Sequence, residues 1–544
     1  MKPSVARRLA AALLLGLAAH TLAGKDEAKD EAKDEKPKFD WSSLEPSRDV
    51  VYGDCYKEYR CARLLVPLDW RNASDNRTVA LAIIKLPAAV PASDPSFAGP
   101  ILVPYELGLV RAMSARCRDA DAHDPVFEHM GTPSVARDMV HIVDKLAELR
   151  HREAAPDVAL ELKRRQGDDV PRLQYMGFSY GTVLGNYFAS LFPERVGRLL
   201  LDGVANAVDY STGAGWLSNT VDADEIAVAF FDGCHKAGPL ECALARSSDS
   251  SGRDICTRFD AWLRDLDESP LDASVSPTGS VVAITSRDVR EMFASVVYQP
   301  IRLFSAFART INETMAGNAT GFIGLLDSQG YFPNLLEACP VNEQRANRSE
   351  PPDGVRDSNL GILCGDGDSV KDKGTPWWRQ YVRDQVRQSR LMGPTWASIR
   401  MSCSAWPFTQ KWIFKGPFTS PEAVTGPSGR PVPGKPAAPL LFLSNRLDPV
   451  TPLRAARAMA SAHPGAGLVV QQAIGHCAIA SADSPCLAKV IADYFDSGAV
   501  PDNETTCTVE CGPWDRGCNV STYKDTPSSI NIRRVAVLPL GLTY

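Results

Sequence analysis

The sequence predicts an α/β fold in which a mostly parallel sheet is flanked by helices and interrupted by a large helical insertion. Three observations lead there. Strand-length apolar runs, "RLQYMGFS" ending at Ser179 and "RLLLDGV" over 198–204, are separated by a helix-like stretch, "GTVLGNYFASLFPERV". The sequence over 209–404 is dominated by helix-period segments. Strand-like runs then return, in "LLFLSNRLDPVTPL" and "GLVVQQAIGHCAIA".

Each part follows in order. Lys2, Arg7 and Arg8 precede an apolar run from Leu9 to Ala19, and small residues follow at Thr21-Leu22-Ala23, the pattern of a secretory signal over 1–23. The run is shorter than the roughly 20 apolar residues of a bilayer span, so no stable membrane span is expected. Residues 24–38, "KDEAKDEAKDEKPK" and its neighbour, are almost all charged and read as a solvated spacer. The N-terminal part of the core is assigned to 39–208, and "CARLLVPLDW" and "TVALAIIKLPA" read as its first strands. Val135, Met139, Ile142, Leu146 and Leu149 fall three or four apart behind Ser134, which predicts an amphipathic helix with Ser134 as N-cap. A helical cap is assigned to 209–404, a Pro/Gly-rich return to 405–438, the C-terminal part of the core to 439–500 and a cysteine-containing tail to 501–544.

Composition narrows the function. Hydrophobic residues at 44% and charged residues at 23% are ordinary globular values, and a net charge of −6 offers no basic surface for nucleic acid. Fourteen cysteines behind a signal-like segment point to disulfides in an oxidising compartment. Cys55/Cys61, Cys234/Cys242 and Cys477/Cys486 are spaced for local bridges. Cys507, Cys511 and Cys518 have no C-x-x-C pair or nearby histidine, so disulfides are expected there rather than a metal. N-x-S/T sequons at Asn72, Asn76, Asn312, Asn318, Asn347, Asn503 and Asn519 suit N-linked glycans on a secreted protein.

The chemistry starts at "MGFSYGTVLG". Gly177-Phe178-Ser179-Tyr180-Gly181 is a G-x-S-x-G placed between a strand and a helix, where a tight turn pushes the serine hydroxyl out of the sheet. Asp448 and His476 each follow a later strand, giving the order nucleophile, acid, histidine of the α/β-hydrolase fold. In that reading His476 relays the proton of Ser179, Asp448 orients the imidazole, and the backbone N–H of Tyr180 supplies one oxyanion donor.

At these residues the chain resembles a known family. "GFSYGTVLGNYFASLFPERVGRLLLDGV", "LSNRLDPVTPLRAARAMA" and "GHCAIASADSPCLAKVIADYFDSGAVP" resemble secreted tripeptidyl-aminopeptidase-like serine peptidases of the prolyl-aminopeptidase group, over most of residues 39–515. The resemblance implies an α/β-hydrolase fold with a cap after the sixth strand, release of short N-terminal peptides or residues from peptides with a free N-terminus, and no metal or organic cofactor. It breaks at one place. The family's glycine-rich loop after the third strand, and the strand that follows it, are missing where "GPILV" runs into "PYELGLVRAMSARC", which leaves one sheet strand and the second oxyanion donor in question. Pro104 has no N–H to give, and Tyr105 and Gly108 are the available substitutes. Two alternatives to a peptidase therefore stand: a non-catalytic secreted homologue with an incomplete oxyanion hole, and a carboxylesterase or lipase on the same fold.

Overall fold

A computed structural model describes residues 41–48, 51–55, 59–67, 78–85, 103–122, 126–153, 170–273, 282–328, 354–427, 430–515 and 518. The signal-like and spacer segments and the sequons at Asn72, Asn76, Asn347 and Asn519 lie outside these residues. The chain divides into two compact units, Met1–Pro87 and Ala88–Tyr544.

In the first unit β1 (Gly53–Cys55), β2 (Tyr59–Pro67) and β3 (Thr78–Lys85) form an antiparallel sheet in that order. The expected strands in "CARLLVPLDW" and "TVALAIIKLPA" are β2 and β3, in register from Arg60 opposite Lys85 to Pro67 opposite Thr78. The Cys55–Cys61 disulfide ties β1 to β2.

In the second unit five strands form a parallel sheet: β4 (Leu173–Phe178), β5 (Val196–Asp202), β8 (Leu441–Leu447), β9 (Gly467–Ile474) and β10 (Thr505–Cys507). Their order is β10-β9-β8-β5-β4, and every pairing is parallel. A parallel sheet covered on both faces needs near-continuous apolar strands, and β5 shows why: Leu199 and Leu201 enter one core with Phe188 and Phe442, while Leu200 enters the opposite one with Leu441 and Tyr494. Between β5 and β8 the chain is helical over 223–237, 252–268, 286–296, 300–315, 320–328, 354–366, 375–388 and 393–401, with a hairpin of β6 (Leu271–Ala273) and β7 (Val282–Ile284). Phe230 centres the core of the first five of these helices, its ring against Phe231, Phe293, Phe304 and Phe307. The sheet with its flanking helices and inserted helical segment is that of an α/β-hydrolase fold.

Three expectations are corrected. Val103 does not end a strand: it opens α1 (Val103–Asp121), because Val103, Leu107, Val110, Ser114 and Cys117 repeat at helical spacing and are buried. Three of them, Val103, Leu107 and Cys117, share a buried cluster with Trp378. Residues 86–102 are outside the described ones, and among the described residues β4 is the terminal strand of its sheet. Second, α2 (Thr132–Glu153) starts before Ser134, which therefore lies in its first turn and is not the cap. The entering N–H groups of Gly131 and Thr132 are taken by Gln410 Oε1 at 2.8 Å and Asp366 Oδ1 at 2.8 Å, distant partners that no local pattern announces. The face it buries is Thr132, Ala136 and Val140, while Ile142 and Leu146 are exposed. Third, Cys477 does not bridge to Cys486. Cys486 pairs with Cys507, which anchors β10 to the helix 485–497, and Cys477 is a buried thiol. Cys234–Cys242, Cys364–Cys403 and Cys511–Cys518 are the other disulfides of this unit among the described residues.

Candidate active site

Ser179 sits between β4 and α3 (Tyr180–Leu191) with φ 52° and ψ −120°, a left-handed backbone costly for any side chain but glycine. The surroundings hold it there. Its N–H donates to the Asp202 carbonyl at 3.1 Å, and its carbonyl accepts from the Thr182 N–H at 2.9 Å and the Thr182 hydroxyl at 2.6 Å. The tightness also explains the first glycine of the motif, since a Cβ on Gly177 would lie 2.5 Å from the Gly181 carbonyl oxygen.

Asp448 follows β8 and is fully buried. Its Oδ1 accepts the N–H groups of Val450 at 3.0 Å and Thr451 at 2.8 Å, and Oδ2 accepts that of Cys477 at 2.9 Å. His476 Nδ1 lies 3.0 Å and 3.1 Å from its two oxygens. Burial works against the charge of Asp448, but the positive His476, their hydrogen bond and the N–H donors outweigh it and hold the carboxyl below its usual range. A carboxylate can only accept, so Nδ1 carries a proton and, in the neutral ring, Nε2 is the basic nitrogen.

His476 follows β9 across Gly475, whose φ of 124° and crowded Cα, with Ser481 Oγ 2.7 Å from a would-be Cβ, admit no side chain. The inserted helical segment reaches it. The His476 N–H donates to the Tyr298 carbonyl at 2.8 Å, and the Tyr298 ring meets the imidazole edge-on at 5.2 Å. Nε2 is buried and makes no hydrogen bond among the described residues.

The structure thus brings Asp448 and His476 into direct contact. It ties Ser179 to the histidine loop through Asp202, whose carbonyl takes the Ser179 N–H and, at 3.5 Å, the Cys477 thiol. Ser179 and His476 form no hydrogen bond to one another among the described residues. Tyr180 begins α3, so its N–H is one of the four without an intrahelical partner. Its phenol bonds the Thr132 hydroxyl, and burial and then Asp366 raise its pKa. Asp366 in turn accepts from the Thr132 hydroxyl at 2.5 Å and the Tyr210 hydroxyl at 3.0 Å. For a second oxyanion donor, Gly108 is corrected: it lies in the interior of α1, where its N–H serves the helix, whereas Tyr105 stands in the first turn, where N–H groups have no intrahelical partner.

Sequence reasoning missed Asp202, Thr451, Tyr298 and Asp366. Asp202 carried a local signal, an acid at the end of an otherwise apolar strand, and Thr451 follows Asp448 by three residues; Tyr298 and Asp366 arrive from segments far away in the chain.

Residues 389–507 match the family model described as TAP-like protein, a span that includes β8, Asp448, β9 and His476. The chain is 24% identical over 390 residues to the tripeptidyl aminopeptidases of Streptomyces coelicolor and Streptomyces lividans, covering 71% of this chain and 59% of each relative. It is 24% identical over 393 residues to the serine protease Hip1 of Mycobacterium tuberculosis, covering 70% of this chain and 62% of the relative. It therefore spans about three fifths of the length of the curated relatives it matches. The parallel sheet and the turn at Ser179 are those of an α/β-hydrolase fold, its C-terminal part matches the TAP-like family model, and the chain as a whole is similar to serine peptidases.

Proposed function

We propose that the protein is a secreted serine exopeptidase that releases short N-terminal peptides or residues through a covalent acyl-enzyme, with Ser179 as nucleophile, His476 as base and acid, and Asp448 as its orienting partner. The observation that carries the reading is a buried Asp448–His476 pair whose Nε2 is left open, on the same framework as a serine held at φ 52°. Ser179 Oγ adds to the scissile carbonyl while His476 Nε2 takes its proton, and the oxyanion meets the Tyr180 N–H. The C–N bond then breaks as His476 returns the proton to the leaving amine. Water repeats the sequence: His476 takes its proton, hydroxide adds to the ester, and the ester C–O bond breaks with the proton passing to Ser179 Oγ.

Secretion rests on the signal-like segment and fits the five disulfides of the described residues; no helix among them is long and apolar enough to cross a membrane. The helical segment over 209–404 acts as a cap that limits access to chain ends, supported by Tyr298 reaching His476. A free α-amino group would be recognised by cap carboxylates, so N-acetylated peptides should be cleaved more slowly than free ones; equal rates would remove this part.

Labelling with a fluorophosphonate tests the core of the reading. The folded protein should form an adduct at Ser179 that Ser179→Ala abolishes, and an unlabelled folded protein would overturn it. One observation favours the second reading, a non-catalytic homologue: only Tyr180 stands assigned as an oxyanion donor, and loss of one donor typically costs about 10²–10³-fold in rate. Parallel assays on peptide arylamides and short acyl esters separate the peptidase from an esterase, and ester cleavage alone would reverse the preference.

A further inference from the structure

Asp202 ends β5 and is fully buried, and among the described residues its carboxylate bonds backbone N–H groups and not the imidazole ring. Its carbonyl and both carboxylate oxygens are engaged with the two loops on either side. Its carbonyl takes the Ser179 N–H, and its carboxylate takes the N–H groups of Ala478 at 2.6 Å, on Oδ1, and Ile479 at 2.9 Å, on Oδ2. Those two residues follow His476 and Cys477, so one side chain and its own backbone join the nucleophile turn to the histidine loop. The joint is tight. Gly203 has φ 68°, a Cβ there would lie 2.4 Å from Cys477 Sγ, and Cys477 itself is held at φ 63°.

We infer that Asp202 is a positioning residue which, in its ionised form, sets the height of His476 over Ser179; the inference rests on the reaction proposed above. Each carboxylate oxygen accepts one backbone N–H, and a proton on the group removes the charge that strengthens both bonds. The loop that carries His476 is then held more weakly. The groups facing this carboxylate are Asp448 from the loop after β8 and His476 and Cys477 from the loop after β9; from β4 comes the Ser179 turn, which brings no charge. Burial, only partly opposed by the two N–H donors, raises the Asp202 pKa to about 6. Activity on the acid side then requires two groups to be unprotonated: the imidazole, as base, and Asp202, as anchor.

The test is the order of the acid limb of kcat/KM against pH. In the wild-type protein the limb should approach a slope of two. In Asp202→Asn it should fall to one, with kcat/KM lower by at least about 10-fold at neutral pH. A purely structural role would lower the rate at all pH values and leave the slope alone. A wild-type slope of one, or an Asp202→Asn protein within twofold of wild type, overturns the inference. Failure of the reaction itself reads separately: if wild-type Ser179 takes no fluorophosphonate, the ring ¹³C signal of His476 is titrated instead. A second inflection in wild type, absent from Asp202→Asn, supports the coupling, and a single inflection in wild type refutes it. If the variant does not fold, the wild-type slope, or the wild-type titration where Ser179 is silent, decides alone.

Discussion

Asp448 is the residue whose loss is easiest to anticipate. Replacing it by Asn keeps the shape but presents an amide to Nδ1, which favours the wrong tautomer, so kcat should fall on the order of 10⁴-fold with the fold retained, as a kinetic assay beside a melting curve would show. His463 gives a prediction with no catalysis in it. Its Nδ1 lies 2.9 Å from the Ser420 hydroxyl and its Nε2 3.0 Å from Asn186 Oδ1; the amide oxygen can only accept, so the neutral ring carries its proton on Nε2. Burial lowers its pKa to about 4. A histidine depressed in this way contributes stability that is complete above its ordinary value of 6.5 and is lost as pH falls toward 4. His463→Gln should therefore show about 3 kcal/mol less acid destabilisation between pH 6.5 and 4 than wild type in denaturant titrations. Equal acid sensitivity in the two proteins would show that the ring does not titrate with folding.

Elements here are held by partners distant in sequence. The short β10 pairs with β9 and is fixed to the helix 485–497 by Cys486–Cys507, which closes a loop of sequence separation 21. Replacing both cysteines by serine should cost about 3 kcal/mol in a denaturant melt under non-reducing conditions. A change below 1 kcal/mol would mean that β10 adds little to the sheet. The helices of the insertion depend instead on aromatic packing. Phe230 is wholly buried among Phe231, Phe293, Phe304 and Phe307, and Phe230→Ala should destabilise the protein by about 3–5 kcal/mol by leaving a cavity the helices cannot close.

For the whole molecule the open question is the sheet beside β4. The strand that carries the nucleophile turn ends its sheet among the described residues, and an edge there leaves backbone groups that a neighbouring strand would satisfy. If a segment has been lost from this sequence, the transcript should encode extra residues near Val103. Because α1 already begins at Val103, they would enter ahead of the helix and not between Val103 and Tyr105. Restoring a glycine-rich loop and strand should then raise turnover by at least about 10²-fold, the worth of one oxyanion donor. Sequencing the cDNA across codons 95–120 tests the first point; an uninterrupted transcript with a cooperative melt and normal peptidase turnover would refute it. Glycosylation is tested at the same scale. Asn312, Asn318 and Asn503 are exposed, so protein secreted from a eukaryotic host should lose mass at these sites on treatment with an N-glycosidase.

The sequence by itself determined the alternation of strand and helix around Ser179, the late strands before Asp448 and His476, and the glycines that flank Ser179, because period, turn chemistry and chain order are local properties. The Cys55–Cys61 and Cys234–Cys242 bridges were legible for the same reason, being separated by 6 and 8 residues. Tertiary structure alone decided what those residues meet. It turned Val103 into the start of a helix packed near Trp378, since a short apolar run suits a strand or a buried helix equally until its partners are known. It exposed Ile142 and Leu146 and buried Val140 instead, because the covered face of α2 depends on what lies against it. It paired Cys486 with Cys507 and left the Cys477 thiol under the histidine loop, where Asp202 gathers both loops through bonds to residues 23 positions before it and over 270 after it. A carboxylate that works by accepting backbone N–H groups has no spacing of its own in the chain, so only the folded arrangement could reveal it.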